Sequence, residues 1–242
     1  MLTTHCASFI PKMLLLSLDT STTVCSVALH QDETLLGCYE LFTERTSSAM
    51  LTTLINDVVK HTGYELNQLD AIAVAKGPGS YTGLRIGVST AKGLCFALDK
   101  PLLAINTLAA MAEQIRSFYS ATYRLCPMID ARRMEVYCAF YGAADGSELR
   151  ATSAEIIDEQ SFSDWLAKGP VVFFGDGAAK CRAALGGQSN AVFLDKLIQP
   201  SARTVGLLAT AALTEGRFEN VAQFEPFYLK EFMTAKPKPL VL

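Results

Sequence analysis

The apolar positions of the chain begin as three short stretches separated by polar turns. Residues 13–18 are apolar apart from one serine, polar residues 19–23 follow, and residues 24–29 are rich in small and β-branched side chains. A turn at residues 31–32 precedes a third stretch at about 34–41. Short apolar runs bounded by turn-forming residues are typical of strands. The pattern therefore predicts a meander of three strands.

Helical spacing follows the meander. Ser47 or Ser48 can cap a helix that ends at Gly63, and apolar residues recur between them at intervals of three and four. These residues are Leu51, Leu54, Ile55, Val58 and Val59. The sequence predicts an amphipathic helix here.

A glycine loop joins the next two predicted elements. Residues 71–75 form a short apolar strand, residues 77–79 (Gly-Pro-Gly) a sharp loop, and residues 80–98 a second helix. A strand near 102–105 completes this unit.

The same order of features then begins again. An apolar run at 125–130 ends in Asp130, as the first run ends in Asp19, and a strand at 134–141 follows. A later strand at 171–174 leads into a second glycine loop at 175–177 and a helix of small residues, and residues 201–215 form a last helix. Two matched landmarks in the same order predict a duplication, with two α/β units whose mixed sheets begin with antiparallel strands.

This layout resembles that of the actin, sugar kinase and Hsp70 superfamily, whose units are ribonuclease H-like. The predicted division is a loose N-terminal extension at 1–12, a first subdomain at 13–107 and a second at 108–242. The C-terminal segment of the second subdomain can pack back on the first subdomain. A doubly wound dinucleotide-binding fold is the alternative at this point.

Polar residues at the strand ends define a candidate cleft. A strand that ends in Asp19 and turns through Ser21 offers a carboxylate, hydroxyls and backbone N–H groups that can hold a phosphate and hydrated Mg²⁺. In a duplicated fold, Asp130 would face Asp19 across the cleft. The alternative is that these residues only build a turn by bonding their own backbone.

The glycine loop is the strongest local feature. A strand, a glycine loop and a capped helix start can form an anion site from backbone N–H groups, here at Gly77, Pro78, Gly79 and Ser80. The segment lacks the Gly-Lys-Ser/Thr of a P-loop. Asp99 lies about twenty residues further on, as a nicotinamide-binding domain requires, but the preceding meander disfavours that alternative. The glycines also fit a tight strand-to-helix connection with no ligand.

Metal and nucleophile chemistry have little support in the sequence. The three histidines, His5, His30 and His61, are not at metal-binding spacing, and no G-x-S-x-G motif is present. We therefore expect no metal site and no catalytic residues.

The composition indicates which kinds of partner the protein can bind alone and in which cell compartment it works. The 242 residues are 50% hydrophobic and 19% charged, with a net charge of −3, which predicts a folded protein without the basic face that binding nucleic acid alone would need. Arg132 and Arg133 are the best local exception. Seven scattered cysteines in an odd number predict reduced thiols and a cytoplasmic protein. No apolar run approaches the length of a membrane span.

Four segments of the chain resemble the TsaB (YeaZ) family: MLLLSLDTSTTVCSVAL, AVAKGPGSYTGLRIGVSTAKGL, IDARRMEVY and EPFYLK. The resemblance spans about residues 13–231. It implies an actin-like fold without independent enzymatic or peptidase activity, acting as obligate partner of the catalytic subunit TsaD. Together with the ATPase TsaE, the pair would transfer a threonylcarbamoyl group to the adenosine beside the anticodon of tRNA.

The resemblance also carries expectations about ligands. TsaD has an H-x-x-x-H metal pair on its first helix, whereas residues 46–51 here contain no histidine. The resemblance implies a degenerate nucleotide cleft, with no cofactor of its own and ATP bound only in the complex. The alternative is an ATP-binding phosphotransferase or ATPase that uses Asp19 and Asp130.

A partner surface is expected on the first two helices, because in this family they mediate pairing with TsaD or with a second copy. Gly83, Gly87 and Ala91 recur every four residues and line one side of the second helix. Together with the first helix's Leu51, Leu54, Ile55 and Val58 they are the expected interface. Replacing Gly87 by arginine is then expected to abolish TsaD binding while leaving the monomer folded. The alternative is that this stripe packs on the chain's own sheet or first helix.

Overall fold

The computed structural model describes residues 12–42 and 48–230, and within them the chain forms two five-stranded sheets. The first sheet consists of β1 (Leu14–Asp19), β2 (Val24–Gln31), β3 (Thr34–Phe42), β4 (Ala71–Gly77) and β5 (Leu102–Asn106). The second consists of β6 (Arg124–Asp130), β7 (Glu135–Gly142), β8 (Glu148–Ile156), β9 (Val171–Phe174) and β10 (Ala191–Phe193). The helices are α1 (Ser48–His61), α2 (Tyr81–Leu98), α3 (Thr107–Ile115), α4 (Ser163–Leu166), α5 (Ala178–Leu185) and α6 (Ala202–Thr214).

The two sheets have the same strand order. The first runs β3-β2-β1-β4-β5 and the second β8-β7-β6-β9-β10. In each, the first three strands pair antiparallel and the last two join in parallel. The predicted duplication with mixed sheets is confirmed. The doubly wound alternative is wrong, because its consecutive strands would be parallel.

Helices cover both faces of the first sheet. On one face, α1 and α2 pack over a core that contains Leu51, Val58 and Val88. On the other, α6 packs through Val205 and Ala209. The central strand β1 is therefore buried at every position, and its nearly continuous apolar sequence follows from burial on both faces.

Helix α3 lies between the two sheets. Its Ala110 packs with the first sheet, while Leu108, Met111 and Ile115 pack with the second. The second sheet's other face is covered by Leu166 of α4 and by Cys181 and other residues of α5. Since α3 contacts both cores, it is one joint between the two halves.

Most predicted elements are found with similar bounds. Four of the elements named above were not predicted, namely α3, the edge strand β8, the four-residue helix α4 and the three-residue strand β10. Most of the predicted N-terminal extension and the candidate cap Ser47 lie outside the described residues. The division at residue 107 stays a prediction. Beyond α6, the chain returns to the first half, where Glu219 forms an antiparallel bridge with Leu102 of β5.

The six cysteines in the described ranges are free thiols. Five of them are buried, and burial raises the pKa of Cys25, Cys95 and Cys181 to about 11, which makes them poor nucleophiles. In the described part of the chain, none of the helices combines the length and apolar character needed to cross a bilayer.

Candidate functional site

The turn after β1 is built by Asp19. Its Oδ1 accepts the backbone N–H of Ser21 at 2.9 Å and the Ser21 hydroxyl at 2.6 Å. The side chain is only 1% exposed, and Oδ2 has no hydrogen-bond partner among the described residues. Burial raises the pKa of Asp19 to about 6, against the opposing effect of the two bonds from Ser21. The carboxyl group is therefore buried, and its Oδ1 atom holds the turn together.

The glycine loop closes directly on this turn. Ser80 donates its backbone N–H to the Ser21 carbonyl at 2.6 Å, and a Cβ added at Gly79 would overlap that same carbonyl group. The Ser80 hydroxyl caps α2 by accepting the N–H of Gly83 at 3.3 Å. Two N–H groups that an anion site would need are therefore bonded within the chain.

The C-terminal segment covers the outer side of the loop. The Phe227 N–H donates to the carbonyl of Lys76 at 2.7 Å. Residues 227–230 line a cavity of only about 40 Å³, together with Pro78, Gly79, Tyr81 and Tyr137. This space holds a few water molecules, whereas small-molecule sites usually measure about 300–1,000 Å³.

Asp130 occupies the equivalent position in the second half but a different environment. Its side chain is about half exposed, pairs with Lys180 and accepts the N–H of Arg132 at 2.8 Å. Partial burial acts to raise its pKa, but the bonds from Lys180 and Arg132 lower it overall. One carboxyl is thus buried with a raised pKa and the other is exposed and ion-paired, so they do not form a matched pair of free carboxylates.

The two described histidines have different surroundings, one buried and one exposed. His30 is buried beside α6, where a side chain at Gly206 would overlap its ring, and burial lowers its pKa. His61 bonds the Tyr39 hydroxyl through Nδ1 at 2.7 Å. His5 lies outside the described residues. Across residues 12–42 and 48–230, no group of three or more His, Cys, Asp or Glu side chains could hold a metal.

The predicted partner stripe faces the inside of the chain. A Cβ added at Gly83 would overlap the Thr20 carbonyl, one added at Gly87 would overlap Thr20 Oγ1, and Ala91 is fully buried. The Thr20 hydroxyl donates to the Gly83 carbonyl at 2.7 Å. The apolar residues of α1 in the expected interface, Leu51, Leu54, Ile55 and Val58, are also in the first core. The prediction that these side chains meet a partner is corrected: the stripe exists so that α2 can pack against the turn after β1.

Comparison with known proteins shows the family of the chain. A family model described as TsaD, tRNA N6-adenosine threonylcarbamoyltransferase, matches residues 37–232. The tRNA threonylcarbamoyladenosine biosynthesis protein TsaB of Escherichia coli K12 is 32% identical over 237 residues, covering 94% of this chain and 99% of that protein. The chain belongs to the TsaB (YeaZ) family.

Two solved structures agree with this membership. A Pseudomonas aeruginosa protein described as similar to peptidase YeaZ superimposes with a TM-score of 0.79 at 32% identity, covering 90% of this chain and all of that one. The activator of 2-hydroxyisocaproyl-CoA dehydratase from Clostridium difficile superimposes at 0.50 with 10% identity, covering 85% of this chain and 97% of that one. The second likeness shows the fold alone, which is actin-like.

Sequence reasoning missed the outer face of α2 in this TsaB-family chain. Ser89, Gly93 and Phe96 are exposed there, and Phe96 is 87% exposed. A Cβ added at Gly93 would meet nothing within 4 Å. The signal was available, because Ser89, Gly93 and Ala97 also recur every four residues, but spacing alone does not say which of two small-residue stripes is buried.

Proposed function

We propose that the chain is a non-catalytic subunit of the machinery that forms threonylcarbamoyladenosine on tRNA, and that it supports a TsaD-type transferase as its partner. The observation that carries this proposal is the closed cleft. The N–H of Ser80 is bonded to the Ser21 carbonyl, and the segment around Phe227 covers the loop from outside. Membership of the TsaB family, whose curated relatives are named for this biosynthesis, supports the same conclusion.

The proposal assigns partners to the complex and not to the chain alone. TsaD forms a heterodimer with it, TsaE and tRNA are engaged through that complex, and ATP binds only there. Alone, the chain pairs with a second copy. The net charge of −3 supports the indirect contact with tRNA, because phosphate binding needs concentrated Lys and Arg. The place of action is the cytoplasm.

The outer face of α2 is the proposed contact for the transferase. On this face the aromatic side chain of Phe96 is 87% exposed, and the small residues Gly93 and Ala97 beside it are exposed as well. Glycine inside a helix costs about 1 kcal/mol relative to alanine, and Gly93 has no intramolecular contact that would demand it. A closely approaching partner helix accounts for both residues.

Two arginine substitutions test this surface. Gly93→Arg is expected to abolish co-purification with the cognate TsaD-type transferase while leaving the melting temperature close to wild type. Gly187→Arg is the matched control, because Gly187 is likewise open to solvent but lies after α5 in the other half. If the Gly93→Arg protein binds the transferase as tightly as the control does, the surface is assigned wrongly.

A reconstitution tests the non-catalytic role. Transferase, ATPase, substrates and tRNA are incubated with and without this chain, and threonylcarbamoyladenosine is measured by mass spectrometry of the digested tRNA. Product is expected only with the complete set, and this chain alone should turn over no ATP. The alternative, an ATPase or phosphotransferase that uses Asp19 and Asp130, instead requires turnover by the pure chain that Asp19→Asn removes.

A further inference from the structure

The segment 224–230 is attached to the first half at three places. Lys92 Nζ donates to the Phe224 carbonyl at 2.9 Å, and the Phe227 N–H donates to the Lys76 carbonyl at 2.7 Å. The Tyr228 ring lies 4.9 Å from the ring of Tyr81, centroid to centroid. These contacts reach from the middle of α2 to the end of β4.

The same segment also reaches the second half. Its last described residue, Lys230, pairs with the Glu135 carboxylate at the start of β7. Tyr137 of β7 lines the small cavity between this segment and the glycine loop. Lys230 is exposed and Glu135 is half-buried, with 41% and 21% of the side-chain surfaces accessible, so the pair acts together with the backbone and ring contacts of the same segment rather than alone.

Gly77 lies close against the backbone of this segment. Its φ is +113°, and a Cβ there would lie 2.9 Å from the Phe227 carbonyl oxygen and 3.0 Å from Leu84 Cδ1. Glycine tolerates both the backbone conformation and the close approach. The first glycine of the loop is thus explained by the chain's own C-terminal segment, without a phosphate.

We propose that residues 224–230 are a clasp that fixes the relative orientation of the two halves. In a two-part cleft, a ligand that contacts both sides selects one orientation by differential contacts. Here the clasp makes those contacts with residues of the same chain. Helix α3 is one joint between the halves and the clasp is a second, so rotation about α3 breaks either Lys230–Glu135 or Phe227–Lys76. This inference does not depend on the proposed function.

Spin-label distances between the halves test the clasp. Labels are placed at Lys60→Cys on α1 and Asp164→Cys on α4, both exposed, in a chain with Cys6→Ser and Cys38→Ser. The remaining thiols are buried. The wild-type background is expected to give one narrow distance distribution, and Lys230→Glu a broadened one. The double variant Lys230→Glu with Glu135→Lys restores the pair and is expected to restore the narrow distribution.

Lys196→Glu is the control for the change of charge, since Lys196 is exposed and remote from the segment in sequence.

Hydrogen exchange distinguishes loss of the clasp from a loss of overall stability. In Lys230→Glu, and in Gly77→Ala as a second variant, the Phe227 amide is expected to exchange roughly tenfold faster while β1 and β6 keep their protection. An unchanged distance distribution in Lys230→Glu, no rescue by the double variant, or faster exchange spread evenly over both sheets overturns the proposal.

Discussion

The backbone N–H of Ser80 is bonded to the carbonyl of Ser21 over 2.6 Å. In a phosphate-binding loop this N–H would point at the ligand, but here it ties the start of α2 to the turn after β1. Gly79 permits that contact, because any Cβ there would overlap the Ser21 carbonyl. The glycine loop is therefore explained by close approach of two backbone segments.

The first prediction concerns nucleotides. Titration calorimetry of the isolated chain with Mg-ATP is expected to show no saturable binding up to about 1 mM, which corresponds to less than about 4 kcal/mol of binding free energy. The reason is that the Ser80 N–H of the glycine loop already donates to the Ser21 carbonyl, and the cavity beside the loop has a volume of only about 40 Å³. Saturable binding at micromolar concentration would contradict this account of the cleft.

Periodicity predicted the duplication because each half repeats a buried strand that ends in aspartate and a later strand that ends in a glycine loop. These are local patterns of burial and turn formation. Periodicity could not show which side of α2 is buried, because two stripes of small residues have the same spacing. These stripes are Gly83/Gly87/Ala91 and Ser89/Gly93/Ala97. Only the contact with Thr20 identifies the first stripe as the buried one. It also missed β8, whose alternation is blurred because its residues are mostly half-exposed at the edge of a sheet.

The packing of the C-terminal segment back on the first subdomain was anticipated from the sequence, but the individual long-range contacts could not be predicted. The covering of the glycine loop by Phe227 joins residues about 150 positions apart, and no composition signal marks such a contact. The candidate cleft residues were recognised, but their chemistry depends on burial. Asp19 and Asp130 look equivalent in the sequence, and they differ because Asp19 is buried whereas Asp130 is half-exposed and pairs with Lys180.

The second prediction is a pH dependence of stability that comes from Asp19. Its pKa in the folded chain is about 6 against an ordinary value of 3.8, so the folded state binds the proton more tightly than the unfolded state does. The contribution of Asp19 to stability is therefore most favourable below about pH 4 and is lost as the pH rises to about 6.

Asp19→Asn removes this titration. Asparagine can still accept the bonds from Ser21, so the variant is expected to be more stable than wild type at pH 7, by up to about 3 kcal/mol at about 1.4 kcal/mol per pKa unit. The two proteins should converge near pH 4, as measured by thermal melting across pH. Asp145→Asn is the control, because the pKa shift at this residue has the opposite sign: the hydrogen bond from the Ser147 N–H lowers the pKa of Asp145. A gap between wild type and Asp19→Asn that does not vary with pH would refute the assignment.

The third prediction concerns RNA. Fluorescence anisotropy at physiological salt is expected to show no sub-micromolar binding of tRNA to the isolated chain, because its net charge is −3. Arg132 and Arg133 are exposed and adjacent, with φ values of 71° and 52°. Replacing both by glutamate should weaken any residual binding at low salt more than Lys196→Glu does. Tight binding by the isolated chain would mean that the tRNA contact is not confined to the complex.

The last prediction compares two glycines on α2 that differ only in what lies beside them. Gly87 lies against Thr20 Oγ1, whereas Gly93 has nothing within 4 Å of its added Cβ. Gly87→Ala should therefore destabilise the chain, by about 1–3 kcal/mol as overpacking usually does. Gly93→Ala should stabilise it by up to about 1 kcal/mol, because alanine is the better residue in a helix.

These opposite signs are measured as shifts of melting temperature, about 2–4 °C for each kcal/mol in a chain of this size. Gly87→Arg should unfold the protein, so its failure to bind a transferase would say nothing about an interface, which corrects the expectation from spacing alone. Gly93→Ala should instead leave the proposed partner surface intact, since one methyl group can be accommodated where arginine cannot. If Gly87→Ala melts at or above the wild-type temperature, the buried side of α2 is not the one that contacts Thr20, and the assignment of its two faces must be reversed.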